Sequence, residues 1–521
     1  MIGHLGNLYE GLLALQLTVA DVDLGLYARG SGARREVIYE PAKKGAAVVV
    51  QTGELFWQTH TGGRKASGVY YTPSALVEHL VQRAVLPSLE EHLDRVRTMA
   101  ETDPASAAAT LFRFRVLDPA CGSAHFLTVA LHRMAERIDR FLAETPLPAV
   151  RDELENVRAA ADGSGQGARI DHADLLHRLV LKRCVYGVDL SPMGAEVARL
   201  SLWLASFVPG LSLAYLGHNV QVGDALIGVA DPTVLNSSHY GTRPIYADAV
   251  DDAIAAGASA AARLAELTDR TPDEVNASRA ADADLQAATE GVRRLYDAWT
   301  AGPLGVPEAR ELAEVRPLEL IAGTAQLPAA AREVSNQLRV LHWPLAFPEV
   351  FAVHRPGFDV VIGNPPWEEV TVEELAFYAR YSPRLRGLVA ADRALALNRV
   401  KAERPELAGE LIAEQRRTAL LRQFLGPAGG YERSVGDPDL YKFFCQRYRA
   451  LLARGGRLGV VLPRSTFLTA GSRGFRTWLF GSNRVERIDF LLNRGMWAFD
   501  AEPRYTVALL TPILAAGRSL R

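Results

Sequence analysis

A chain of 521 residues exceeds one ordinary domain, and 48% hydrophobic with 23% charged residues is the make-up of a globular protein with a substantial core. A formal net charge of -2 gives no argument from overall charge for a polyanionic partner, so nucleic-acid contact would need a local basic face. Cys121, Cys184 and Cys445 lie far apart with no CxxC pair, which argues against a disulfide scaffold or zinc site and for a reducing cytoplasm; no secretory signal opens the chain, and no apolar run is long enough to span a bilayer.

Residues 1–66 read as a leading, partly helical region. Leu5 to Gln16 carries apolar residues at helical spacing, and Arg34 to Gln51 contains a strand-like run ending in VVVQ. From Gly68 the pattern changes. Thr72-Pro73-Ser74 precedes ALVEHLVQRAVL, a helix start with apolar spacing of three and four. FRVLDPA is a short apolar run followed by the helical HFLTVALHRMAERI; CVYGVDL is followed by MGAEVARLSLWLASF; NVQVGDAL is a third such run. This βαβαβ order predicts an α/β fold, a parallel sheet with helices on both faces. The cofactor half of the core is predicted over 67–246, with an insertion around 143–178 and a loop at ADGSGQG. Residues 247–337 read as a helical insertion outside the sheet. The core returns over 338–369 with FDVVIGNPPW, a second helical insertion fills 370–435, and 436–521 supply the remaining strands GRLGVVLP, RVERIDFLL and YTVALLTPIL.

Four segments carry candidate chemistry. In Asp118-Pro119-Ala120-Cys121-Gly122-Ser123-Ala124-His125-Phe126, a small-residue turn joins a strand to a helix, where a nucleoside can approach the backbone closely. It is neither GxGxxG nor a P-loop, and a tight turn without a ligand is the alternative. Asp189 ends the next strand, where a carboxylate can accept from both ribose hydroxyls or cap a helix; its distance from Asp118 far exceeds the ~20 residues of a dinucleotide fold. Asp224, in Gly223-Asp224-Ala225, can accept from an adenine amino group or serve a turn. The fourth segment, Asn364-Pro365-Pro366-Trp367, directly follows a buried apolar run. An exocyclic adenine amine is a poor nucleophile because its lone pair is delocalised into the ring. Two acceptors for its hydrogens localise that lone pair, and the Asn364 side-chain oxygen and the Pro365 carbonyl are candidates. The prolines fix φ and hold that carbonyl rigid. Trp367 offers a flat face on which an extruded base can stack.

These stretches resemble the N6-adenine DNA methyltransferases of restriction-modification and phage-exclusion systems, most of all the large type IIG-like class. DPACGSAHF is similar to their cofactor loop, VYGVDLSP to their ribose-binding strand, GDAL to their third cofactor strand and IGNPPW to their catalytic loop. GVYYTP looks like their N-terminal cofactor motif, HWPLAFPEVF like the segment before the catalytic strand, and DLYKFF with GGRLGVVLPRSTF like later core motifs. The resemblance implies a Rossmann-like methyltransferase sheet with large helical insertions, S-adenosylmethionine as cofactor and double-stranded DNA as partner. It implies cofactor contacts from Tyr71, Thr72, Pro73, Asp118, Pro119, Ala120, Gly122, Phe126, Asp189, Leu190, Asp224 and Ala225, and catalysis by Asn364, Pro365, Pro366 and Trp367. Methylation of RNA or of a protein glutamine, and a non-catalytic DNA-binding or assembly subunit of the same fold, are the competing readings.

Two departures stand out. Ala124 occupies a position where the family usually has Gly; a required positive φ would cost an L-residue about 1–2 kcal/mol, and the intact flanking residues favour a position without that requirement. No region after YTVALLTPIL is long enough for target recognition, so a specificity partner or a missing segment is expected. Some relatives carry an N-terminal nuclease, but 1–66 lacks the Asp and Glu-x-Lys pattern, with Glu40 and Lys43 wrongly spaced, so no nuclease is expected.

Overall fold

The computed structural model describes residues 15–20, 22–29, 36–42, 47–59, 72–162, 172–231, 244–352, 356–382, 385, 388, 390–432, 437–492 and 506–514. The chain divides into two units, Gly3–Tyr71 with Thr371–Arg416, and Thr72–Val370 with Arg417–Arg521.

In the first unit the described N-terminal residues are β structure. Strand β1 (Leu15–Val19) pairs antiparallel with β4 (Leu55–Thr59), and β2 (Leu24–Arg29) with β3 (Glu36–Pro41). Ala20, Leu24, Val50 and Phe56 form a small buried cluster. The helix expected over Leu5 to Gln16 falls mostly outside the described residues, and its last two residues open a strand instead. Alternating apolar residues serve either period over so short a stretch, and cross-strand pairing decides between them. The second segment of this unit holds the helices Glu374–Tyr381, Ala390–Glu403 and Glu406–Phe424, the last running on past Arg416. Phe377, Tyr378, Leu385, Leu407 and Leu411 pack together, and Arg380 forks onto Glu414 at 2.6 and 2.8 Å.

The second unit is built on a seven-stranded sheet of order β10-β11-β9-β8-β5-β6-β7. Its strands are β5 (Val116–Asp118), β6 (Val185–Asp189), β7 (Val220–Val222), β8 (Phe358–Gly363), β9 (Leu452–Pro463), β10 (Asn483–Leu492) and β11 (Thr506–Leu514). The five from β5 to β9 run parallel, while β11 is antiparallel to both β9 and β10. Helices cover both faces, so the parallel strands are buried on both sides and read as unbroken apolar runs. The fold is α/β, with a Rossmann-like open sheet. After β5 the chain moves outward through β6 and β7 and then returns to β8 on the other side of β5. That reversal opens a crevice between the carboxyl ends of β5 and β8, the place where open α/β sheets bind ligands.

The stretch between β5 and β6 holds three helices, His125–Glu144, Pro148–Asp162 and His172–Cys184; the ADGSGQG loop falls mostly outside the described residues. Residues 247–337 form helices with their own core of Val292, Leu295, Tyr296, Leu320 and neighbours. Buried polar contacts fasten this insertion to the core. Lys182 Nζ meets Asp269 Oδ2 at 2.6 Å with both side chains almost fully buried, and Arg178 donates to the carbonyls of Thr268 and Asp269. The HWPLAFPEVF stretch is a second fastener. Trp343, Phe347, Val350 and Phe351 sit in the main core, and His342 takes the Val229 N–H on Nδ1 while its Nε2 lies 3.3 Å from Asp297. Burial pushes the His342 pKa down, so the ring is neutral and Nε2–H donates. His218 is the opposite case. It sits 2.8 Å from Glu349 and 3.9 Å from Asp282, and although burial opposes its charge the two carboxylates raise its pKa.

Among the described residues no helix is long and apolar enough to cross a membrane.

Candidate active site at the carboxyl edge of the sheet

Asp118 is the last residue of β5 and is 1% exposed. Its Oδ1 accepts the Ala120 N–H at 3.1 Å. Burial pushes its pKa up to about 8; the Ala120 hydrogen bond opposes this and the nearby Asp189 charge adds to it. A Cβ on Gly363 would come within 2.7 Å of Asp118 Oδ1, so only glycine lets the end of β8 lie this close to the carboxyl.

The turn after Asp118 is stitched to β6. Cys121 N donates to Val188 O at 3.0 Å, and Gly122 N donates to Asp189 Oδ2 at 2.9 Å. Gly122 has φ +51, and a side chain there would meet open space. Pro119 is buried and Ala120 half-buried, and Phe126 is 5% exposed. Ala124 has φ 61 and ψ 29 and is fully buried. This corrects the expectation that position 124 needs no positive φ: the left-handed residue turns the chain into the helix beginning at His125. That helix start has no side-chain cap.

Asp189 ends β6, half-buried, with Oδ1 accepting from Ser191 N at 2.8 Å and Oδ2 from Gly122 N. Burial raises its pKa against those two hydrogen bonds. It does not cap the following helix; Ser191 does, accepting from Gly194 N. Leu190 beside it is 43% exposed. Asp224 forms a local turn, Oδ1 accepting from Leu226 N at 2.9 Å, and burial raises its pKa. The Ala225 methyl lies in the main core, and its carbonyl accepts from Trp343 Nε1 at 3.3 Å.

Asn364 follows β8 directly. Its Nδ2 donates to Thr72 Oγ1 at 3.2 Å, while its Oδ1 is buried without a hydrogen-bond partner among the described residues. Thr72 is 5% exposed, and Pro73 precedes the helix Ser74–Leu80; Tyr71 lies outside the described residues. Pro365 is buried, Pro366 and Trp367 are half-buried, and Trp367 packs against the main core. The loop then pairs with a distant segment, Leu440 N donating to Glu368 O at 2.9 Å and Val370 N to Pro438 O at 3.0 Å.

The structure thus brings Thr72, Asp118 and Asn364 together on one side of β5, and Gly122 and Asp189 on the other. Sequence reasoning missed two supports. Lys442 is 1% exposed and donates to Asp437 O and Asp439 Oδ2, both at 2.8 Å, bracing the segment that pairs with the loop. Arg447 is buried and donates to Leu226 O at 2.5 Å and Gly228 O at 3.2 Å, beside Tyr431, which donates to Leu226 O. A cation inside an aromatic run such as LYKFF was the available signal.

A family model described as Eco57I restriction-modification methylase matches residues 183–382, and one for the MmeI DNA-methyltransferase domain matches 95–221. A Methanocaldococcus jannaschii protein named as a type II restriction enzyme and methyltransferase is 25% identical over 201 residues, 32% of this chain and 15% of that protein. Among solved structures, the EcoKI type I restriction enzyme M protein overlays with TM-score 0.32 and 13% identity over 87% of this chain and 46% of its own. The DrdV–DNA complex overlays with TM-score 0.35 and 13% identity over 87% and 27%.

Proposed function

The chain belongs to the restriction-modification DNA methyltransferases, its residues 183–382 matching the Eco57I methylase model, and from that premise we propose that it methylates N6 of an adenine turned out of duplex DNA, with S-adenosylmethionine as donor. The buried, unpartnered Oδ1 of Asn364 carries this reading. A buried acceptor without a donor is costly, and a substrate N–H in that place removes the cost.

The crevice suits the cofactor by the chemistry of its groups. Asp118 and Asp189 are carboxylates with raised pKa values, and burial dominates both shifts. A cationic ligand compensates such charges. The uncapped helix start at His125 suits a ligand carboxylate. Asp189 already accepts two backbone N–H groups, but a carboxylate offers about four acceptor sites, which leaves room for ribose hydroxyls. Exposed Leu190 supplies an apolar rim, Asp224 faces the same edge, and Ala225 contributes shape from within the core. When bound, S-adenosylmethionine supplies a methyl group made electrophilic by its sulfonium.

The rest falls to the chain's own residues. Asn364 Oδ1 accepts one amine hydrogen and the Pro365 carbonyl the other, which draws the nitrogen toward tetrahedral geometry and localises its lone pair. Trp367 stacks on the base. The apolar wall of the loop excludes water from the reacting pair.

The test is transfer of labelled methyl from S-adenosylmethionine to DNA, RNA and protein pools, with digestion to nucleosides. Label is expected in N6-methyladenine. Asn364→Ala should bind cofactor normally and lose about 10²–10³-fold in turnover, the scale of one lost hydrogen bond at a reacting centre. Trp367→Ala should weaken DNA capture by about 1–3 kcal/mol, and Trp367→Phe should keep much of the activity. Label in RNA or glutamine, or an unimpaired Asn364→Ala, would overturn the proposal.

A further inference from the structure

An asparagine amide has two unlike ends, and only the oxygen can accept from an amine. We infer that Thr72 is a positioning residue that takes the Asn364 N–H so that Oδ1 is the end presented to the substrate. The inference rests on the reading of Asn364 as the acceptor for the target amine. The resemblance gives Thr72 a different role, as a contact to the cofactor.

Thr72 is 5% exposed, and its Oγ1 lies 3.2 Å from Asn364 Nδ2. The other end of the same amide is buried without a partner among the described residues. Thr72 is itself held in place. Two residues on, Ser74 Oγ lies 3.4 Å from Nε2 of His125, the first residue of the helix after the Asp118 turn, and Leu76 N and Val77 N donate to Pro73 O. The segment Thr72 to Ser74 therefore lies between the helix that follows the β5 turn, met by Ser74, and the loop after β8, met by the Thr72 hydroxyl. With a substrate amine donating to Oδ1, the amide nitrogen must find its acceptor elsewhere, and Thr72 Oγ1 is in reach. Removing that oxygen leaves a buried N–H unsatisfied in the productive orientation and favours rotation of the amide.

Thr72→Val keeps the shape and removes the acceptor. It should lower kcat by roughly 10–100-fold, the scale of one unsatisfied buried group. Its dissociation constant for S-adenosylmethionine, measured by calorimetry, should stay within about 3-fold of wild type, since the hydroxyl serves Asn364 and not the cofactor. Thr72→Ser retains the hydroxyl and should recover most of the turnover. A Thr72→Val enzyme with normal kcat at saturating cofactor and weakened cofactor binding would overturn the inference in favour of a cofactor contact. A thermal-melt cycle of Thr72→Val, Asn364→Ala and the double variant without ligands tests the contact independently of catalysis. Sub-additive losses are expected, because either change breaks the same bond, and additive losses would overturn it. Failure of the wild type to label adenine would sink the reading of Asn364 and the presenting role together, and the melt cycle would then show only whether the bond exists.

Discussion

Asp118 shows what one buried carboxyl costs the ligand-free protein and what it offers a ligand. Its pKa in the fold is about 8 against 3.8 for an ordinary aspartate, so between those values the folded state holds a proton that the unfolded chain releases. Its contribution to stability therefore declines as pH rises from about 4 to 8 and levels off above. Asp118→Asn keeps the oxygen that accepts from Ala120 and removes the titration. Melting curves should show the variant gaining on wild type from near pH 4 upward, by a few kcal/mol at most beyond pH 8. Calorimetry should show the same variant binding S-adenosylmethionine more weakly. A constant gap across pH would mean that the Asp118 carboxyl is not shifted in the fold. Ala124 carries a separate lesson. Its left-handed φ costs about 1–2 kcal/mol. Gly would relieve that strain but lose a buried methyl worth about 0.8 kcal/mol and add about 0.4–1 kcal/mol of chain entropy. The terms nearly cancel, so Ala is tolerated for a reason other than the one its neighbours suggested. Backbone sign at a single turn residue is not legible from flanking identities.

Among elements, the strands of the large sheet were legible: a parallel strand buried on both faces must be an apolar run, and the edge strand β10 still spaces apolar residues between its charges. Of the N-terminal strands only β3 falls within a stretch read as strand-like, Arg34 to Gln51, since short two-stranded pairs leave only weak periodicity. The loop–loop pairing between 368–370 and 438–440 was also invisible, as backbone hydrogen bonds between distant segments leave no residue pattern. Lys442 stabilises it from below. Asp439, its partner, is 20% exposed, so the pair is worth less than a fully buried one. Lys442→Met should cost about 1–3 kcal/mol on that discounted basis. Hydrogen exchange should quicken at Val370 and Leu440 while β8 stays protected. Faster exchange throughout β8 would instead mean that Lys442 supports the core generally.

For the whole of the second unit, the motif order predicted which segments share an edge, but not the strand order. The reversal between β5 and β8 is a fact of topology, and it alone brings Asp118 within reach of the Asn364 loop across nearly half the chain. The fastening of the 247–337 insertion was likewise unreadable, for Lys182 and Asp269 are 87 residues apart and each looks like a surface charge. The loop Asn364–Trp367 has a further property. Thr72 holds it at Asn364 and residues 438–440 clamp it past Trp367, so it is tethered at both ends and has little give. If the Asn364 loop acts on a flipped adenine as proposed, the mechanical work of bringing amine and acceptor together falls almost wholly on the nucleic acid. A stiff anvil of this kind discriminates by how easily its workpiece deforms. Duplexes whose adenine faces a mismatch have less pairing to lose, and they should be methylated faster than matched duplexes at limiting enzyme, by a factor that tracks the opening equilibrium of the pair. Equal rates on both would mean that the loop moves after all and shares the work.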